Sequence, residues 1–167
     1  MIFAADLLES AAVVIDICRR KGLRLATAES CTGGLISALV TTVAGSSDVF
    51  DAGFVTYSNA AKTQMIGVPE SLIAAHGAVS EEVAVAMAEG ALDRSHAGIT
   101  VAVTGIAGPG GGSAAKPVGL VHLAVARRGA RPLRHALRLG DIGREPIRLA
   151  TVAAALAMLQ DVVASDP

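Results

Sequence analysis

Short apolar runs alternate along the whole chain with stretches of helical periodicity, and this alternation most limits the folds open to it. Residues 5–21 read as an amphipathic helix, with Leu7, Leu8, Ala11, Val14, Ile15 and Cys18 on one face and Gly22 as its stop. Residues 23–28 read as a strand. Residues 32–43 return to helix, with Leu35, Ile36, Leu39, Val40 and Val43 inward. Residues 45–47 are a loop, 52–57 a strand, and a helix follows to about Ile66. Pro69 opens a short helix ending near Gly77, and Ser80 caps the next, with Glu81 and Glu82 set against its dipole. Residues 99–103 are a β-branched strand and 105–117 the one long loop. Residues 118–126 and 132–139 are strands joined through Gly129, and 146–164 form the last helix. The pattern predicts an α/β fold: a single three-layer α/β/α domain over residues 1–167, with a mixed, mostly parallel sheet and a late antiparallel hairpin.

Composition removes several function classes. Mean hydropathy is +0.55, yet no run offers the roughly 18 to 20 consecutive apolar residues of a spanning helix. Asp6 and Glu9 stand where a secretory signal would be positive. These features predict a soluble, cytoplasmic protein without a membrane partner. Cys18 and Cys31 make neither a disulfide framework nor a zinc set, and no HxxxH spacing occurs. No metal or organic cofactor is expected. The net charge of −1 and the scarcity of aromatics, with no Trp and one Tyr, argue against nucleic acid. The alanine-rich apolar surface points to a homo-oligomer.

Three segments carry chemistry. Ala28-Glu29-Ser30-Cys31-Thr32-Gly33-Gly34 lies where a strand gives way to a helix. A hydroxyl or thiol there leaves the sheet edge beside the free N–H groups of the helix's first turn, while Gly33 and Gly34 open the approach. Those are the parts of an acyl-transfer site, a nucleophile with oxyanion donors at Cys31, Thr32 and Gly33. A plain N-cap with packing glycines would look the same. In Tyr57-Ser58-Asn59-Ala60-Ala61-Lys62, Ser58 or Asn59 caps a helix and places Lys62 one turn in. A cation is disfavoured there, which lowers its pKa as a base requires; the plain alternative is a solvated surface lysine. The loop from Thr104 and Gly105 through Gly108 and Gly110 to Ser113 follows a strand and could form an anion-binding nest. It lacks the GK[ST] of a Walker A loop.

Charge is concentrated late. Seven of the eleven arginines, from Arg127 to Arg148, fall within 22 residues opposed only by Asp141 and Glu145. Such a stretch draws a phosphate-bearing ligand or guards an edge strand. His76, His96, His122 and His135 stand apart from the motifs and read as surface or packing residues.

Taken together, AESCTGG, GFVTYSNAAK, GAVSEEV and TGIAGPGGGSAAKPVG, in this order, resemble the CinA (competence-damage-inducible) C-terminal domain family, the nicotinamide mononucleotide deamidases. The resemblance runs from the first helix to the last, as in a stand-alone form without the N-terminal nucleotide pyrophosphatase domain of larger members. It implies hydrolysis of the carboxamide of nicotinamide mononucleotide to nicotinic acid mononucleotide and ammonia, in pyridine nucleotide recycling. It puts the nucleophile on Ser30 and its partners on Lys62 and Tyr57. The Gly-rich loop and a last-helix arginine, most like Arg148, would serve the substrate. The family's GDR followed by a further arginine is Gly140-Asp141-Ile142-Gly143-Arg144 here, so one arginine is displaced.

Residue chemistry agrees with that implication. Serine needs an adjacent base to attack an amide. With no histidine near either motif, a neutral Lys62 is the available one, and Tyr57 would orient it or relay a proton. Two alternatives stand beside this. Cys31 could be the nucleophile, with Glu29 and Lys62. The domain could also bind a nucleotide without reacting.

Overall fold

The small and β-branched runs become five strands of one sheet in the computed structural model, which describes residues 3–165. The strands are β1 (Leu25–Glu29), β2 (Phe50–Val55), β3 (Ile99–Gly105), β4 (Leu120–Arg127) and β5 (Leu133–Arg138). The helices are α1 (Ala5–Arg20), α2 (Leu35–Thr42), α3 (Asn59–Ile66), α4 (Glu70–His76), α5 (Glu81–Asp93) and α6 (Arg144–Ala164). The strand order is β2-β1-β3-β4-β5. β1 runs parallel to β2 and β3, whereas β4 is antiparallel to both β3 and β5. The sheet is mixed as expected, with its pairings divided equally. No helix lies between β3 and β4, so nothing carries the chain back to restart in parallel.

Two boundaries differ instructively from the sequence reading. α2 starts at Leu35 rather than Thr32, because Gly33 and Gly34 take left-handed conformations with φ of 61° and 98°. Only glycine adopts such angles freely, so residues 31–34 form a turn instead. α6 starts at Arg144, with Pro146 inside its first turn, where the missing N–H costs nothing. That extra half-turn brings Arg144 onto the helix.

The sheet's two faces have different compositions, following the period-2 alternation of strand side chains. Leu25, Ile99, Val101, Val103, Val121, Leu123 and Val125 pack under α1, α2 and α6. On the other face Ala28, Ala102, Ala124 and Ala126 meet α5, supported by α3 and α4. Alanines let α5 sit close to the strands. Thr100 on this face donates to the Ala88 carbonyl of α5 at 2.7 Å, so its hydroxyl is not left unpaired. By length and mean hydropathy (1.6) α6 is sufficient to cross a bilayer, although it lacks an unbroken apolar run. Here it packs on α1, β3 and β4, burying Ile147, Val152, Ala155, Leu156, Leu159 and Val163.

Candidate active site

Parallel strands β2, β1 and β3 end at one edge of the sheet, and the chain leaving each contributes to a single cleft there. The carboxyl ends of strands are the usual location of a site in open α/β sheets. The cleft encloses about 220 Å³. Ser30 and Cys31 line it after β1, Tyr57, Asn59 and Lys62 after β2, and Thr104, Gly105 and Ala107 at the end of β3. Ala78, Val79 and Arg144 complete its wall.

Ser30 and Lys62 meet inside it. Lys62 Nζ lies 3.1 Å from Ser30 Oγ and donates to the Thr56 carbonyl at 2.8 Å. The lysine is 1% exposed, a rare state for this residue type. Burial pushes its pKa down, opposed only by the neighbouring Cys31. The Ser58 hydroxyl caps α3 by accepting from the Ala61 N–H at 3.0 Å, which sets Lys62 in the first turn. The helix dipole disfavours an ammonium there as well. Among the described residues no carboxylate pairs with this amine. A buried lysine without a counter-charge is driven toward its neutral form.

The turn after β1 is gripped from both sides. Glu29, the last residue of β1, is fully buried. Its Oε2 accepts from Thr32 Oγ1 at 2.7 Å and from the Gly34 and Ile36 N–H groups at 3.0 Å each. Its Oε1 accepts from the Ser37 N–H at 2.8 Å and from Ser37 Oγ at 2.7 Å. From α6, Arg148 donates to the Cys31 and Thr32 carbonyls at 3.2 and 2.8 Å. The first-turn donors of α2 are therefore occupied by the protein's own carboxylate, contrary to the expectation that they stand free. The Gly33 N–H, an expected oxyanion donor, is also taken, by the Ser30 carbonyl at 3.0 Å. The Thr32 N–H keeps no acceptor among the described residues, and the Cys31 N–H faces its own thiol.

The residue pattern is that of a known domain. The model of the CinA C-terminal domain matches residues 8–163. The chain belongs to this family. It is 51% identical over 156 residues to a CinA-like protein of Akkermansia muciniphila, covering 93% of this chain and 37% of that protein. It is 50% identical over 159 residues to a CinA-like protein of Geobacter sp. (strain M21), covering 95% and 38%. The chain thus spans well under half the length of these curated relatives. Among solved structures, competence/damage inducible protein CihA from Agrobacterium tumefaciens matches with a TM-score of 0.93 and 57% identity, covering 95% of this chain and 96% of that one. The competence-damaged protein (CinA) superfamily protein from Escherichia coli matches with a TM-score of 0.88 and 31% identity, covering 96% and 94%.

Within this CinA domain the arginines are distributed differently from the sequence reading. Arg148 does not line the cleft; it clamps carbonyls beneath the Ser30 turn. Arg144 reaches the cleft instead, donating to the Gly108 carbonyl at 2.8 Å and to Tyr57 Oη at 3.0 Å. Tyr57 accordingly bonds Arg144 at the mouth rather than orienting Lys62, and it is 61% exposed. Arg128 donates to the Leu92, Ser95 and Ala97 carbonyls, and Arg134 pairs with Glu81 at 2.9 Å. Four of the seven late arginines, Arg128, Arg134, Arg144 and Arg148, thus serve separate acceptors.

The Gly-rich loop enters the site only at its start. Thr104 Oγ1 donates to the Ala78 carbonyl at 2.8 Å, tying two walls together. Gly105 packs so closely that a Cβ would lie 2.9 Å from the Leu120 carbonyl oxygen. Gly108 supplies Arg144's acceptor, while Gly110 is exposed, has nothing within 4 Å of its Cβ position, and lies outside the cleft lining. Burial counts against the thiol alternative. Cys31 is 6% exposed, its side chain belongs to the core cluster under α6, and burial pushes its pKa up to about 11. A thiolate is strongly disfavoured in that setting. The histidines lie outside the cleft lining. Among the described residues no three His, Cys, Asp or Glu side chains gather as a metal set would.

Proposed function

We propose that this domain hydrolyses the carboxamide of nicotinamide mononucleotide, giving nicotinic acid mononucleotide and ammonia, as a cytoplasmic step of pyridine nucleotide recycling. The observation that carries the reading is the buried Lys62 amine 3.1 Å from Ser30 Oγ with no carboxylate beside it among the described residues. A neutral amine has one lone pair and two hydrogens. One hydrogen serves the Thr56 carbonyl, and the lone pair accepts the Ser30 proton. Oγ then attacks the carboxamide carbon, and the Cys31 and Thr32 N–H groups receive the developing oxyanion. Protonated Lys62 returns its proton to the departing nitrogen, so ammonia leaves and an ester to Ser30 remains. Water, deprotonated by Lys62, cleaves that ester, and Ser30 recovers its proton. Tyr57 bonds Arg144 at the mouth; in this reading it relays protons to the leaving group, and Arg144 is the cation for the substrate's phosphate. No step calls on a metal or an organic cofactor. A domain that only binds nucleotides would gain nothing from burying an unpaired lysine against a serine.

The test is ammonia release from nicotinamide mononucleotide by the purified protein in EDTA, expected to proceed at the rate seen without chelator. Binding without ammonia release would favour the non-catalytic reading. Loss of activity on chelation, restored by a divalent ion, would overturn the scheme.

A pH dependence follows from the direction of the Lys62 shift. Burial lowers its pKa, and only the neutral form is a base. Below that lowered pKa the ammonium accumulates, so kcat/KM falls about tenfold per pH unit on the acid side. Above it the rate is level until another group titrates. A profile flat through the acid range in which the protein stays folded would remove Lys62 as the base.

A further inference from the structure

We propose that Glu29 is a positioning residue for the Ser30–Lys62 pair, a role that rests on the reading of Ser30 as nucleophile. Its carboxylate is fully buried and accepts five hydrogen bonds, from Thr32 Oγ1, the N–H groups of Gly34, Ile36 and Ser37, and Ser37 Oγ. Ser37 Oγ lies a further 2.7 Å from Thr27 Oγ1, which ties this network back to β1. The backbone of Glu29 reaches the other half of the pair: its carbonyl accepts the Thr56 N–H at 2.8 Å, and the Thr56 carbonyl accepts from Lys62 Nζ. One residue is thus bonded through its side chain to the nucleophile's turn and through its main chain to the acceptor that aims the base.

The arrangement exceeds what capping α2 requires. A helix N-terminus can be satisfied by one short side chain at the N-cap or by water. Here the N-cap is Gly34, which has no side chain to offer, and the cap comes from a strand. By consuming the Gly34, Ile36 and Ser37 donors, Glu29 leaves the Thr32 N–H as the free one beside Ser30, with the Cys31 N–H facing its own thiol. Arg148 holds the Cys31 carbonyl, which fixes the peptide group that carries the Thr32 N–H, and the Thr32 carbonyl, whose peptide carries the Gly33 N–H. Glu29 makes no contact with Lys62, and the cause of the lysine's low pKa is burial.

Glu29→Gln tests this. The amide presents one NH2 group where the carboxylate presents an oxygen, so it faces a backbone N–H whichever way it is turned. Misplacement of a reacting group by about 1 Å can cost on the order of a hundredfold in rate. The expected result is therefore about a hundredfold loss in kcat for ammonia release from nicotinamide mononucleotide. KM should stay within a fewfold, and the acid limb of the pH profile should stay at its wild-type position. The rate at which a fluorophosphonate labels Ser30 should fall in parallel. A folded Glu29→Gln protein with wild-type kcat and labelling rate would reduce Glu29 to a helix cap. A moved acid limb would make it a charge acting on Lys62 and overturn the positioning role. If Glu29→Gln does not fold, Thr32→Val removes a single donor and should slow labelling about tenfold; an unchanged rate overturns the proposal. Labelling needs no substrate, so a wild type that labels but releases no ammonia sinks the substrate reading while leaving Glu29 to be judged.

Discussion

Ser30→Ala and Lys62→Met should each lower ammonia release from nicotinamide mononucleotide by about 10³-fold or more, and the double substitution should be barely worse than either alone. Members of one proton-transfer pair fail together, because a nucleophile without its base and a base without its nucleophile are equally idle. Methionine suits the test at position 62. It keeps an apolar stem in a fully buried slot and removes only the amine that touches Ser30 Oγ and the Thr56 carbonyl. Burying an ammonium-bearing side chain opposes folding, so Lys62→Met should melt at or above the wild-type temperature, which separates lost chemistry from lost structure. Cys31→Ser should fold and keep most of the activity, since that thiol lies in the core with its pKa raised to about 11. The reading fails if Cys31→Ser abolishes turnover while Ser30→Ala retains it. It also fails if the two single losses multiply in the double variant, which would mean Ser30 and Lys62 act in separate steps.

The meeting of Ser30 and Lys62 was legible in the sequence because each sits at a strand-to-helix junction, and parallel strands bring such junctions to one edge. The equal division of strand pairings was legible in principle, from the lack of any helical stretch between residues 105 and 118. Glu29 was not legible as a structural centre. A glutamate in a strand–turn segment reads as a surface charge, and its role emerges only when the turn of Gly33 and Gly34 folds the first turn of α2 back over the end of β1. The pattern Glu-x-x-Thr-x-x-x-x-Ser, spanning residues 29–37, was the available signal. Arg144 and Arg148 are one helical turn apart on α6 and so share a side. Periodicity cannot tell which of the two faces the cleft. That depends on where α6 begins, and the proline at 146 drew the predicted start too late.

Gly90→Ala should lower Tm by about 2 to 12 °C and slow catalysis, although the substitution touches nothing in the cleft. In an ordinary exposed helix the change would stabilise by about 1 kcal/mol, because alanine is the better helix former. The sign reverses here because of what lies opposite. A Cβ at Gly90 of α5 would stand 1.9 Å from the Ile66 carbonyl oxygen and 3.0 Å from its carbon. Both are backbone atoms of the last turn of α3, so no side chain can swing aside. Relief requires α3 and α5 to separate, and such overpacking costs about 1 to 3 kcal/mol. α3 is also the helix that delivers Lys62 to Ser30. Moving it lengthens the 3.1 Å approach on which the proposed proton transfer depends, so kcat should fall while the affinity for substrate changes little. Thermal melting and steady-state kinetics on one preparation check both halves. A Gly90→Ala protein that melts higher than wild type would show that α3 and α5 can part without penalty, and would remove close helix packing as the support for Lys62.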